Sequence, residues 1–158
     1  MLGPVEVAGQ KPWATSSLDI QHPLKASLAD KVLLLGYNIE SGFRPGDGIH
    51  LTLFWQCLKE MDEGYTVFTH LVDKEGTLWG QKDNPPVDGF YPTKQWEAGE
   101  IVRDQYDIAI PPEAPPGEYQ LKVGMYLAET GERLPVLGES VDQAQRAILL
   151  SPVRVVGK

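Results

Sequence analysis

Three histidines, His22, His50 and His70, are the only imidazole bases in the chain. Acyl transfer by a serine or cysteine needs such a base beside the nucleophile and a third group to orient the ring. The sequence offers no G-x-S-x-G elbow. His22 precedes Pro23 near the start and reads as exposed, while His50 and His70 fall in alternating apolar and polar runs and read as residues on a sheet face or edge. Paired carboxylates could hydrolyse glycosides, but with 22 Asp and Glu residues some pairs lie close by chance. Glu60, Asp62 and Glu63 read as a solvated acidic turn, and neither they nor Asp83 and Asp88 form an EF-hand loop. H-E-x-x-H, phosphate-cradling and dinucleotide-binding patterns are absent as well. We therefore expect no catalytic residue, no metal ligand and no cofactor.

Aromatic side chains are the remaining candidates. Exposed Trp and Tyr rings can stack on sugar rings, because they combine a large apolar face with a polar tip. Trp79, Tyr91 and Trp96 are the candidate ligand-binding residues, the first on a hairpin strand and the others in a long connection over 83–99. The reading weighed against this, and preferred to it, is that they plug the ends of the fold. In that reading the 83–99 segment, with Pro85, Pro86 and Pro92, is an ordered flap anchored by Trp96 together with Tyr91.

The elements that would position these residues are strands. Tyr119, Leu121, Val123, Met125 and Leu127 alternate with Glu118, Gln120, Lys122 and Tyr126, the period-two pattern of a half-buried antiparallel strand. Leu51, Leu53, Trp55 and Cys57 likewise share a face opposite His50, Thr52, Phe54 and Gln56. Arg44-Pro45-Gly46-Asp47 suits a type II turn, and Asp73–Gly76 and Glu129–Glu132 suit hairpin loops with a left-handed glycine. Strands are predicted at 32–40, 47–57, 65–73, 77–82, 101–110, 118–128, 132–136 and 147–156. One helical turn is expected at Ser140–Gln143, which matches a capping box. The fold class is all-β, a two-sheet antiparallel β-sandwich of immunoglobulin-like or jelly-roll-like type, with a closed barrel as the alternative. Residues 1–18 read as a tail or linker and 19–158 as one sandwich domain.

Composition narrows the function further. The net charge of −8, without a basic stripe, argues against nucleic acid. A lone cysteine, Cys57, forms no intrachain disulfide. No apolar run approaches the roughly 18 residues of a membrane span, and residues 1–17 lack the charged and apolar regions of a signal peptide.

Five motifs in order, VLLLGYNIE at 32–40, RPGDGIHLTLFWQ at 44–56, YTVFTHLVDKEG at 65–76, QKDNPPVDGFYPTKQWEAGEIV at 81–102 and IPPEAPPGEYQLKVGMYLAETGERLPV at 110–136, together resemble a known region. It is the β-sandwich that follows the membrane part of bacterial multi-pass glycosyltransferases of the protein mannosyltransferase and aminoarabinose transferase type. The resemblance spans about residues 19–137; ESVDQAQRAIL at 139–149 departs from it. It implies a sandwich fold, extracytoplasmic placement and association with a glycan-handling membrane enzyme, and it transfers no catalytic residue. The leading expectation is thus a non-catalytic accessory domain partnered by a membrane glycosyltransferase. The alternative is a carbohydrate-binding module with a glycan partner, and a free-standing hydrolase ranks last.

Overall fold

The computed structural model describes residues 19–40 and 43–157, so the tail or linker expected over 1–18 lies outside them. Period-two alternation sorts side chains into two faces, and the inward set is the one the alternation marks. Leu51, Leu53, Trp55, Leu121, Val123 and Met125 are all completely buried. Each such side chain contributes about 1.5–3 kcal/mol relative to leaving it in water.

One sheet contains β1 (His22–Leu28), β2 (Val32–Ile39), β3 (Gly48–Cys57), β6 (Ile101–Ala109) and β9 (Val136–Gly138), in the order β6-β3-β2-β1-β9. The other contains β4 (Thr66–Val72), β5 (Leu78–Gln81), β7 (Gly117–Leu127), β10 (Val141–Asp142) and β11 (Ala147–Leu149), in the order β10-β11-β7-β4-β5. Two short strands, β8 (Glu132–Arg133) and β12 (Val153–Val155), also pair with β7. Every ladder is antiparallel, and the sheets pack face to face over one shared core. The fold is a β-sandwich, and no ladder joins the two sheets into a barrel among the described residues.

Four expectations need correction, one being the strand predicted over 132–136, which divides into β8 in one sheet and β9 in the other. Strand β1 was not predicted, although Leu24, Ala26 and Leu28 alternate inward; Pro23 obscures it and sits at a bulge, where a missing N–H is tolerated. Residues 140–143 form no helical turn. Val141 and Asp142 pair with Ile148 and Ala147, and the Asp142 carboxylate accepts from the Gln145 N–H at 3.2 Å, making a hairpin. Gln143, Ala144 and Gln145 are all exposed and give a helix no apolar face to bury. The last strand splits into β11 and β12 around Pro152, which has no N–H to extend a ladder. Of the turns, Arg44–Asp47 has the expected form: Gly46 has φ +94° and the Asp47 N–H donates to the Arg44 carbonyl at 3.0 Å.

The 83–99 segment is folded onto the sandwich. Its two short 3-10 turns, Val87–Gly89 and Thr93–Gln95, precede Trp96, which is 1% exposed. The Trp96 indole N–H donates to the Tyr91 carbonyl at 2.9 Å, and the Tyr91 hydroxyl donates to Glu100 Oε1 at 2.5 Å. Thr93 is buried as well. Its hydroxyl donates to the Glu63 carbonyl at 2.7 Å and accepts from the Tyr65 N–H at 2.9 Å.

Asp104 joins this flap to the sheet. On the inward face of β6 its Oδ1 accepts from the Val87 N–H at 2.8 Å, and its Oδ2 accepts from the Trp55 indole at 3.2 Å and the Tyr106 hydroxyl at 2.6 Å. Burial pushes its pKa up to about 6, against the pull of these hydrogen bonds.

Two outcomes are expected. Trp96→Ala should lower stability by about 3–5 kcal/mol, measured by urea unfolding. The second concerns pH. An unfolded aspartate titrates near 3.9, so between about pH 4 and 6 folded Asp104 holds a proton that the unfolded chain has released. Stability from this group is therefore greatest below pH 4 and falls as pH rises to about 6, by on the order of 3 kcal/mol. Unfolding curves should show Asp104→Asn losing that component of the pH slope.

Candidate functional site

Strand β7 organises the outer surface of the larger sheet. Its outward residues Gln120, Lys122, Gly124 and Tyr126 lie opposite Val72, His70, Phe68 and Thr66 of β4. Gly124 makes room for Phe68: a Cβ there would stand 2.5 Å from Phe68 Cε2. The ring covers the glycine and is itself capped by Arg133, whose guanidinium carbon lies 4.1 Å from the ring centroid. His70 and Tyr126 flank the ring, with centroids at 4.9 and 6.4 Å.

Three adjoining hollows of about 360, 330 and 570 Å³ start on this surface, the third reaching β1 and β2 of the other sheet. The first lies among His70, Lys122, Arg133 and Gln145 and shares Val72 and Lys122 with the second. The second and third share Gln120, Leu149 and Pro152. The third ends at His22 and Tyr37, whose rings stack at 4.8 Å and 16°. His22 is thus half-buried against an aromatic ring rather than exposed.

Most polar groups in the groove are held by hydrogen bonds to neighbouring backbone or side chains. The Gln120 amide donates to the carbonyls of Leu150 and Leu121, and Lys122 Nζ donates to Gln145 Oε1 at 2.7 Å. The Tyr37 hydroxyl donates to Ser151 Oγ at 2.7 Å and accepts from the Ser151 N–H at 2.7 Å. Burial lowers the pKa of His70, and Arg133 and Lys122 add to this against the opposing pull of Asp83. Asp83 Oδ1 is buried without a hydrogen-bond partner 3.8 Å from His70 Nε2, while Oδ2 accepts from the Tyr126 hydroxyl at 3.0 Å.

The aromatic candidates are placed elsewhere. Tyr91 and Trp96 are 3% and 1% exposed, so neither ring has a face for a ligand, because both are spent on anchoring the flap. Trp79 keeps a partly exposed ring on β5, with its indole pinned to Asp73 Oδ2 at 2.9 Å. The exposed flap aromatic is Phe90, at 76%, immediately after the left-handed Gly89. No motif in the sequence marks Phe90, and the groove residues carry only the polar half of the β7 alternation as a signal. His50 lies on the other sheet, with Nδ1 2.7 Å from Asp107 Oδ1 at the surface. Among the described residues no serine, threonine or cysteine side chain is hydrogen-bonded to a histidine, and no three His, Cys, Asp or Glu residues gather where they could hold a metal ion. No helix among them is long and apolar enough to cross a membrane.

Fold and groove define an all-β sandwich domain with open polar hollows that run from the face of the larger sheet to the residues of β1 and β2 in the other. Among solved structures it is similar to the crystal structure of the C-terminal domain of wzt, with a TM-score of 0.51 and 8% sequence identity over 95% of this chain and 81% of that one. At that identity the likeness concerns the fold. No family model matches the chain, and no curated protein matches it.

The Phe68–Gly124 pair yields a direct test. Gly124→Ala drives a methyl into the ring, so it should cost about 1–3 kcal/mol and shift the aromatic NMR resonances of Phe68 and Tyr126.

Proposed function

We propose that this chain is a non-catalytic glycan-binding domain and that the ligand lies along the groove over β7. The observation that carries this reading is the succession of the three hollows, each sharing lining residues with the next, with amide, imidazole, hydroxyl and charged groups interleaved with the apolar surfaces of Val72, Leu149 and Pro152. Sugar hydroxyls both donate and accept, which suits such a mixed set, and the C–H faces of a sugar ring lose water against the apolar patches. A groove open along its length fits an oligosaccharide better than a small enclosed substrate. The motif resemblance to the sandwich of membrane glycosyltransferases supports placing this glycan binder outside the cytoplasm, as the accessory domain of such an enzyme.

A second reading has the domain docking on a partner enzyme without holding glycan, and it is favoured by Phe90 at the tip of the flap. The two separate in one experiment. On a glycan array and by titration calorimetry, the glycan reading expects binding that falls at least about fivefold in Gln120→Ala, roughly the value of a lost hydrogen bond, and disappears in Leu149→Trp, which fills the groove. Phe90→Ala should leave that binding intact. Failure of every glycan to bind would leave the docking reading in its place.

A further inference from the structure

We propose that the hollow bounded by His70, Lys122, Arg133 and Gln145 is a subsite for an acidic sugar residue, one bearing a carboxylate. The inference rests on the glycan-binding reading and names the ligand class for that site. Among the described residues the Lys and Arg ion pairs are Arg146 with Glu132 and Arg154 with Glu118, both at 3.7 Å. Lys122 and Arg133 are set apart by sharing one hollow. Among the described residues neither lies within ion-pair distance of a carboxylate, yet both line the same hollow.

They are held by neutral oxygens of a single residue. Gln145 accepts from Lys122 Nζ through its side-chain Oε1 at 2.7 Å and from Arg133 Nη1 through its backbone carbonyl at 2.8 Å. This arrangement holds both cations on neutral oxygens, while the carboxylates Asp73, Glu118 and Asp142 line the adjoining hollow that Lys122 shares. Arg133 also lies over Phe68, its guanidinium carbon 4.1 Å from the ring centroid, and a guanidinium is a planar fork of donors of the kind that matches a carboxylate. Asp83, the carboxylate of this cluster, is turned toward Tyr126 and His70. His70 lies directly across the ladder from Lys122 and adds a polar ring edge to the wall. One anion among two fixed cations gains charge-assisted hydrogen bonds, and the desolvated Phe68 floor strengthens them.

The test uses the full chain on an array holding uronate-containing and neutral oligosaccharides, followed by calorimetry on the bound species. Lys122→Gln removes one charge at an outward, half-buried position, and Lys59→Gln serves as a charge-matched change outside the groove. The expected result is retention of uronate-containing glycans, at least about tenfold weaker binding in Lys122→Gln with unchanged Lys59→Gln, and affinity that falls with added salt. Retention of neutral glycans alone, or acidic binding untouched by Lys122→Gln, overturns the subsite while the glycan-binding reading stands. Retention of nothing overturns both. Thermal unfolding of Lys122→Gln at the parent temperature shows that lost binding is not lost fold.

Discussion

A carboxylate removed from water must be met by donors, and Asp104 is met by three from separate parts of the chain. Trp55 belongs to β3 in the smaller sheet, Tyr106 to the neighbouring edge strand β6, and Val87 to the flap. Each of these donors is itself buried or half-buried, so losing the acceptor leaves unpaired N–H and O–H groups that each cost about 1–3 kcal/mol. The interaction therefore does more than stabilise one strand. It fixes where the flap begins, and the flap then carries Thr93 and Trp96 to the places where they close the core. A hydrophobic residue at 104 would fill the volume but give the Val87 N–H no acceptor, so the carboxylate specifies a position that packing alone does not.

The groove has its origin in how β7 is paired. One side of this strand meets β4 along its length, but the other is met in succession by β12 at Gly117–Tyr119, β11 at Lys122–Val123 and β8 at Tyr126–Leu127. Short partners leave interruptions, bridged by the Leu150 N–H to the Leu121 carbonyl and the Leu134 N–H to the Met125 carbonyl. Pro152 lies at the interruption between β11 and β12 and Gln145 in the turn of the β10–β11 hairpin, and both line hollows. The outward side chains of β7 become the floor. A continuous neighbouring strand would have covered the same surface with its own side chains.

This explains which features were legible in the sequence. Alternation exposed the inward faces of β3 and β7, because burial acts on each residue in turn and leaves a local mark. The Pro-Gly and Asp-x-x-Gly turns were legible for the same reason, since their backbone angles select residues locally. Strand β1 carried the same mark in Leu24, Ala26 and Leu28, but Pro23 masked it. Tyr91 and Trp96 carry the same signal as platform or as anchor; the proline-rich connection favours the anchor, and the burial of both rings beside Thr93 bears that out. Phe68 and Gly124 are 56 positions apart and become one unit through register alone, so no motif could join them. The 139–149 segment, which departed from the motif pattern, supplies Gln145, the residue that positions both groove cations.

Under the proposed reading, the holding of the groove side chains bears on how tightly a ligand could be bound. Gln120, Lys122, Arg133 and Tyr37 are already hydrogen-bonded or stacked in the free protein, so ordering them on binding costs less than the roughly 0.5–1.5 kcal/mol that a mobile side chain requires. That saving is offset by shallowness, since each hollow is open to water and buries only part of any sugar placed in it. One hollow alone would then hold a monosaccharide weakly. Three in continuous sequence gain from connection, because a sugar seated in the first raises the effective concentration of its neighbours over the others. Affinity should therefore grow steeply with chain length until the ligand spans from Arg133 to His22 and then level off, which is the behaviour of a surface built for a polymer rather than for its monomer.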